Sequence, residues 1–485
     1  MRLLTALAHS ILIAAAPVVW GFSTLSISGR QNSPTTTICR LAVAVPLHEG
    51  APFTNEESKK RHKPLLNEDL WVRTLDYEGF GREVSALGKE LALQSGDDDV
   101  AHLEKIVSWR NVAAIVGIVS MGMTPNPITI IALSTWTFAS WTMLAHHTCH
   151  GGYNRIDAGE FHSRGFALGS VGQRVRDWCD WMLPEAWNIE HNRLHHYRLN
   201  EKNDPDLVQR NLAFLRQAQL PMLAKYVVLA ALFPVWKWYY YAPNTFKELE
   251  INRLNREGKS LPLLFEPEAA ITIGSLLCPQ TASEHALRDI MKPMDFFVRV
   301  LSPFLASRFI ILPAPLLLIP TVGPTLYAHA IVNLILAELV TNVHSFVTIV
   351  TNHAGKDLYT FDDAVKPKTP SFYVRQVVGS ANFVTGNDLN DFFHGWLNYQ
   401  IEHHVWPDLS MRQYQIGAPR LKDICLKYGV PYVQETIWER LRKTTDIMVG
   451  KATMRSFPTE YEAAKDKSGK DGLTWKSSNG AIEED

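Results

Sequence analysis

Three histidine clusters and one isolated histidine are the groups in this 485-residue chain best suited to do chemistry. His191-Asn192-Arg193-Leu194-His195-His196 packs three imidazoles into less than two helical turns; His191 and His195 share a helical face, and His196 stands about 100° further round. His146 and His150 are spaced i, i+4, and Gln400, His403 and His404 are spaced i, i+3 and i+4, so each set defines one helical face. His353 closes the triplet Thr351-Asn352-His353. A lone pair of histidines at this spacing is commonly incidental, whereas the set together is a metal-ligand pattern. Its imidazoles outnumber the roughly three or four protein ligands that one zinc ion takes, so two metal ions are expected. The cysteines, Cys39, Cys149, Cys179, Cys278 and Cys425, are scattered without a Cys-x-x-Cys pair, which excludes a thiolate zinc site, an iron–sulfur cluster and a disulfide framework. The metal is then held by nitrogen and oxygen, a ligand type that suits iron, copper, nickel or zinc alike.

These side chains must be carried to one place by the elements around them. From Asn111 to Asn154 there is no Asp, Glu, Lys or Arg, and Thr124-Pro125-Asn126-Pro127 interrupts the run. A crossing needs about 20 apolar residues, so this stretch reads as a transmembrane hairpin. A second runs from Phe309 to Gly355, with Glu338 as its one charge and Gly323-Pro324 as its break. Lys105, Arg110 and Arg155 flank the first hairpin, Lys292, Arg299, Arg308 and Lys356 the second, and both turns are uncharged. By the positive-inside rule all four flanks, and with them every histidine cluster, lie on one membrane face. The expected fold is an all-α integral membrane protein: four transmembrane helices as two hairpins, about 106–145 and 300–353, with a membrane-face helical cap holding a di-metal site. Leu220 to Tyr241, with Lys237 inside it, is read as an interfacial helix, because a further crossing would put the second hairpin out of register. Val84, Leu87 and Leu91 predict a short surface helix, and Asp97-Asp98-Asp99 an acidic helix start.

Charge is balanced, 48 basic against 49 acidic residues, so nucleic acid is not an expected partner. The 14 tryptophans and 15 tyrosines suit a protein with aromatic rings at a lipid interface. At the start, Arg2 precedes an apolar run from Leu3 to Val19, and the acid-poor, Ser/Thr-rich segment from Ser23 to Arg40 follows. This signal-then-transit plan resembles the bipartite plastid presequence of algae with secondary plastids, with Phe22 as the aromatic residue after the signal cleavage point; an uncleaved first membrane helix is the alternative. Residues 1–45 are thus expected to be a targeting presequence, 46–105 a polar N-terminal region and 456–485 a disordered tail.

HHTCH at 146–150, HNRLHH at 191–196 and QIEHH at 400–404 resemble the three histidine boxes of the membrane fatty acid desaturase superfamily in order and in spacing around two hairpins. Asn203-Asp204-Pro205-Asp206 after the second box, and Asn398 with Trp406-Pro407 around the third, are also similar to that family. The resemblance implies a desaturase domain over 106–455 and two non-haem iron ions, ligated by His146, His150, His191, His195, His196, His353, His403 and His404. It further implies that dioxygen and two electrons are used to remove two hydrogens from adjacent carbons of an acyl chain, here in a lipid substrate drawn from the membrane. Asp204, Asp206 and Glu402 are candidate acceptors for imidazole N–H groups, His394 a candidate outer neighbour of the centre, and Glu338 a functional candidate by its place in the membrane.

Two features depart from the family pattern. His147 stands where an acidic residue is common, making it a bystander or an alternative ligand. Gln400 opens box three where many desaturases have histidine, a feature shared with front-end desaturases, and its amide can hold a metal-bound water. No His-Pro-Gly-Gly motif of a fused cytochrome b5 occurs in the chain, so the electron donor is expected to be a separate protein: ferredoxin in a plastid, or cytochrome b5 in the endoplasmic reticulum. The basic surplus between Arg412 and Arg455 reads by default as a solvated basic face, with docking of an acidic donor or anionic lipid as the alternative. Two other outcomes stay open on the same residues: a di-iron hydroxylase or ketolase of a lipid or carotenoid, and a non-enzymatic membrane protein binding haem or zinc.

Overall fold

The computed structural model describes residues 65–468, which divide into two compact units at Leu70 and Trp71. The described part of the first holds one 3-10 turn, Asn67–Asp69. The rest of the description concerns the second unit; the presequence expected at 1–45 lies outside the described residues.

Helix α1, Tyr77–Gln94, starts where the Asp76 carboxylate accepts from the Gly79 N–H. Helix α2, Asp97–Ser120, opens on the expected acidic turn, with Asp99 reaching back to the Gly96 N–H at 3.0 Å. Asn126 caps helix α3, Pro127–Cys149, whose first position is proline. Helix α4 covers 184–195, as Pro184–Trp187 followed by a π-helical Asn188–His195. Then come α5, Met222–Val235, α6, Ala242–Arg256, α7, Pro293–Leu318, and α8, Gly323–Asn352. The last third supplies α9, Pro370–Gly379, α10, Gln400–Val405, α11, Met411–Tyr428, and α12, Ile437–Met448. Two short parallel strand pairs join distant segments: β1, Tyr359–Thr360, with β4, Arg455–Ser456, and β2, Asn382–Phe383, with β3, Gln434–Glu435.

Among the described residues three helices, α3, α7 and α8, are long and apolar enough to cross a membrane. Four crossings were expected, and α2 is the difference. Its uncharged part is only its second half, because the helix begins at Asp97 and its first half carries charges that serve protein contacts: Asp99 binds Ser410, Lys105 binds Asp388, and Arg110 reaches Ser140 at 3.3 Å. The second half of α2 still packs on α3 as a helical hairpin, with Gly117 against Leu133 and Thr129 donating to the Ser120 hydroxyl at 2.8 Å. Helix α8 lies against both: Asn333 donates to the carbonyls of Met121 and Met123 in the turn, and Thr341 to Ser134 at 2.9 Å. Within this bundle Glu338 is buried 3.4 Å from the Arg308 guanidinium, a pairing that accounts for its place there.

The amphipathic segment around Val84 is no surface helix. Val84 and Leu91 are 0 % exposed, and α1 packs against α9 and α11 so closely that a Cβ on Gly81 would lie 2.8 Å from Pro370 and one on Gly417 2.8 Å from Leu91. The apolar stretch read as interfacial forms α5, shorter than a crossing and with Leu223 and Val227 exposed. Lys237, just beyond it, is fully buried, where it pairs with Asp180 at 2.5 Å and faces the Trp141 ring. Part of the basic surplus after Arg412 is paired: Arg412, Arg420 and Lys427 pair at the surface with Asp98, Glu90 and Glu83, and the buried Arg440 and Lys443 pair with Asp357. Residues 456–468, expected to begin a disordered tail, are packed: Phe457 is buried, Glu462 binds the buried Arg375 at 2.6 Å, and Asp466 caps Ser371.

Candidate metal centre

The first two boxes sit at helix ends where the backbone departs from α geometry, and the third lies on a short α-helix. In α3 the segment Ala139–Ala145 is π-helical and delivers His146 and, just past the helix, His150. The π-helical half of α4 delivers His191 and His195, with His196 following. Such insertions rotate the side chains that follow them and are frequent at functional sites. Asn192 ties the two elements together by donating to the Cys149 carbonyl at 3.1 Å. His353 follows α8, and α10 carries His403 and His404, anchored because Asn382 of β2 accepts from the Ile401 N–H at 2.8 Å.

The eight histidines converge as two groups of ring nitrogens, each group mutually within 4.8 Å: His146, His150, His191, His196 and His403 in one, His195, His353 and His404 in the other. His195 and His196, adjacent in the chain, thus fall in different groups. Nε2 atoms face one another at 2.8 Å for His146 and His403, 3.2 Å for His191 and His196, and 3.0 Å for His353 and His404. Four further ring nitrogens, His150 Nε2, His191 Nδ1, His196 Nδ1 and His404 Nδ1, are buried without a hydrogen-bond partner. Two neutral imidazole Nε2 atoms that face each other without a shared proton repel, so the facing Nε2 pairs, with His150 Nε2 unpartnered among them, fit a bound cation.

The electrostatics agree. Burial, reinforced by the neighbouring rings, holds His191, His196, His403 and His404 well below the ordinary imidazole range, and burial brings His353 down to about 3. Each therefore presents a neutral ring with a free lone pair, the form that ligates metal. His195 differs: burial lowers it, but the Asp204 and Asp206 carboxylates together leave it above the ordinary value.

Groups behind the rings fix which nitrogen faces inward. His195 Nδ1 donates to Asp204 Oδ1 at 2.9 Å, and Asp204 also accepts the N–H groups of Asn200 at 2.7 Å and Asp206 at 2.9 Å. His353 Nδ1 donates to the Ile349 carbonyl at 2.8 Å. His403 Nδ1 donates to the Tyr414 hydroxyl at 3.2 Å, whose own proton goes to the carbonyl of Trp406 or Pro407. A carbonyl or carboxylate only accepts, so in His195 and His353 the proton is on Nδ1 and Nε2 is free. Gln400 lies on the three-histidine side, its Nε2 at 3.3 Å from His353 Nε2 and its Oε1 unpartnered.

Three sequence candidates are placed elsewhere. His147 Nδ1 donates backwards to the Met143 carbonyl at 2.7 Å and belongs to neither group, because its helical position turns the ring about 100° from His146. Glu402 touches no imidazole; the Tyr432 hydroxyl and the Asn382 amide hold it at 2.7 and 2.8 Å, and burial pushes it up to about 7. His394 donates to the Asn390 carbonyl at 2.8 Å and lies beside Phe383, away from both groups. Conversely, sequence reasoning missed Tyr414, a plain aromatic in α11, and Glu190, a fully buried carboxyl beside Asp206, which lies within reach of His191 and His195. Burial raises Glu190 well above the carboxylate range and Asp206 to about 6, so one of this pair keeps its proton at neutral pH. A charged residue adjoining a histidine box was the one available signal for Glu190.

A family model described as fatty acid desaturase matches residues 124–436. The chain is 23 % identical over 385 residues to the NADPH-dependent stearoyl-CoA 9-desaturase of Mycobacterium tuberculosis, covering 76 % of this chain and 78 % of that protein. It is 28 % identical over 139 residues to an acyl-lipid (8-3)-desaturase of Dictyostelium discoideum, 27 % of this chain and 28 % of the relative. To an acyl-lipid (9-3)-desaturase of Physcomitrium patens it is 31 % identical over 100 residues, 21 % and 18 % of the two chains. No solved structure matches.

Proposed function

The chain belongs to the fatty acid desaturase family, and from that premise we propose that this oxidoreductase introduces a carbon–carbon double bond into an acyl chain at a two-iron centre. The observation that carries the reading is the convergence of eight buried imidazoles as two adjoining groups. Iron bound there, with dioxygen and two electrons, supplies the oxidising power for the balanced change –CH2–CH2– + O2 + 2 e⁻ + 2 H⁺ → –CH=CH– + 2 H2O. Methylene hydrogens offer no acidity for a base to exploit, so the protein's part is to hold and orient. Asp204, the Ile349 carbonyl and Tyr414 keep Nδ1 protons outward on His195, His353 and His403. Burial of the cluster excludes water that would divert the oxidant.

The ligands in this reading are His146, His150, His191, His195, His196, His353, His403 and His404, with Gln400 holding water at the group that has three histidines. The uncharged end of α2, packed on α3, supports counting it as the first of four crossings, with a desaturase domain over 106–455. The Gln-x-x-His-His box supports front-end regiochemistry. The relatives' names divide between acyl-CoA and acyl-lipid substrates; we favour a glycerolipid. An external donor brings the electrons, ferredoxin if the enzyme is plastidic as its first 45 residues suggest, cytochrome b5 if it resides in the endoplasmic reticulum.

The test is expression of the full chain with a donor in a host poor in desaturases, followed by mass analysis of fatty acid methyl esters. A product lighter by two hydrogens, absent with His195→Ala, supports desaturation. A gain of oxygen moves the reading to a hydroxylase or ketolase, and unchanged esters beside confirmed iron-loaded protein refute both.

A further inference from the structure

Two tryptophans lead outward from the five-histidine group. Trp187 stacks on His191 with ring centroids 4.5 Å apart and planes 22° from parallel, and it meets His146 edge-on at 5.3 Å and His150 at 5.8 Å. All three histidines belong to the group of five. Trp187 reaches them because it ends the α-helical turn that opens α4, about one turn before His191. Trp178 lies behind it, with centroids 5.4 Å apart and planes at 63°. Trp178 closes the short π-helical segment Arg174–Trp178, whose Val175 and Arg176 are exposed, so its ring lies close beneath the surface. The two indoles, 2 % and 0 % exposed, thus connect three metal ligands to the outer layer of the protein.

Packing alone does not call for an indole at Trp178. Its Nε1 is buried without a hydrogen-bond partner, and an N–H left unpaired in the interior costs stability that a phenylalanine would not lose. What indole offers over phenylalanine is ease of oxidation. The electron count shows where that matters. Dioxygen takes four electrons on its way to two waters, and in the proposed reaction the external donor supplies two and the acyl chain the other two. When no acyl chain is in place, two electrons are missing, and the side chains packed on the ligands meet the oxidant. Excluding such competing reactions is the protein's task. The donor's own electrons do not need this route, because an indole yields an electron only to a strong oxidant, which iron is not before dioxygen reacts.

We propose that Trp187 and Trp178 form a relay that carries oxidising equivalents out of the five-histidine group when dioxygen is reduced there without an acyl chain. The proposal rests on the desaturase reading and adds a protective function to it. Trp187 gives one electron inward and becomes an indole radical cation. Trp178 refills it and carries the radical outward, and a soluble one-electron reductant of the ascorbate class then restores Trp178. Two such passages bring the two missing electrons. With two from the donor and four protons from solvent, they complete O2 + 4 e⁻ + 4 H⁺ → 2 H2O. Both rings return unchanged, no bond between their heavy atoms forms or breaks, and the ligand imidazoles are spared oxidation.

The test uses the iron-loaded full chain in detergent, reduced with dithionite, freed of excess reductant and mixed with dioxygen in the absence of acyl lipid. Samples frozen at intervals are read by electron paramagnetic resonance, with iron content and melting temperature measured on every variant. The wild type is expected to give an organic radical whose hyperfine pattern narrows in protein grown on ring-deuterated tryptophan, and which ascorbate erases. Trp187→Phe should lose that signal, Trp187→Tyr should replace it with a tyrosyl one, and Trp178→Phe should keep it but slow its removal by ascorbate. Where Trp187→Phe also loses iron, Trp178→Phe decides. Oxidation of the ferrous iron without an organic radical, a signal indifferent to deuterated tryptophan, an unchanged radical in Trp187→Phe, or wild-type ascorbate kinetics in Trp178→Phe would overturn the proposal. Those results leave the desaturase reading standing, whereas a tryptophan radical in a chain that never forms an unsaturated product would fail the desaturase reading alone.

Discussion

Replacing Asp204 with asparagine tests whether the groups behind the histidines set the metal affinity. Asp204 accepts three N–H groups, from His195 Nδ1, Asn200 and Asp206, at 2.9, 2.7 and 2.9 Å, and is 0 % exposed. Asparagine offers one oxygen. If that oxygen serves His195 and Asp206, the new NH2 group meets the Asn200 N–H, donor against donor. The charge-assisted bond to His195 becomes a neutral one, a loss of about 1 kcal/mol, and a buried N–H left unpaired costs about 1–3 kcal/mol more. Metal-free stability should therefore fall by about 2–4 kcal/mol. The looser His195 ring should weaken iron at the group of His195, His353 and His404 by about 10–100-fold, the usual effect of removing such an acceptor. Equilibrium dialysis against graded ferrous iron, with iron counted per chain and the two sites resolved by Mössbauer spectroscopy, separates one weakened site from a general loss. Wild-type iron affinity in a variant whose melting temperature has dropped as expected would refute the orienting role, leaving Asp204 a structural acceptor only.

Tyr414→Phe removes the acceptor behind His403 and should lower iron affinity at the five-histidine group by about tenfold with little change in melting temperature, read by the same dialysis. Because His191, His196, His353, His403 and His404 are held below the ordinary imidazole value of about 6.5, they stay neutral as the pH falls through it. Iron at the five-histidine group should accordingly be retained as the pH falls through that value, whereas the group that contains His195, whose neighbours hold it above the ordinary value, should lose iron first and at higher pH; simultaneous loss from both groups would contradict this. Glu462→Ala leaves the buried Arg375 with Glu201 and Asp363 only, and should cost about 3 kcal/mol, seen as a lowered melting temperature; no change would mean that the segment after 456 contributes nothing to the fold.

Local pattern was enough to locate the chemistry. Histidines at i, i+3 and i+4 spacing share a face wherever the helix goes, and uncharged runs bounded by Lys and Arg mark crossings because the bilayer penalises charge along its whole thickness. For that reason the histidine clusters and the candidate crossings α3, α7 and α8 could be read from the chain without knowing its packing. The reading went astray where a side chain's partner is remote in sequence. Val84 and Leu91 have the pattern of a surface helix, yet they are core because α9 and α11 cover them. The basic residues after Arg412 read as a surplus within their own segment, yet carboxylates some three hundred positions earlier pair with several of them.

The same division runs through the centre. That there are two sets of ligands follows from the number of imidazoles and the absence of paired cysteines, properties of composition and spacing. Which ring joins which set depends on π-helical turns in α3 and α4 that rotate the boxes, and on acceptors from other elements that fix the tautomers. Sequence placed Asp204, nine residues from His195, within reach because the connection is short. It could not identify Tyr414 as the partner of His403, or show Glu402 turned away towards Asn382 and Tyr432, since a carboxylate or hydroxyl binds whichever donor the folded backbone brings within about 3 Å.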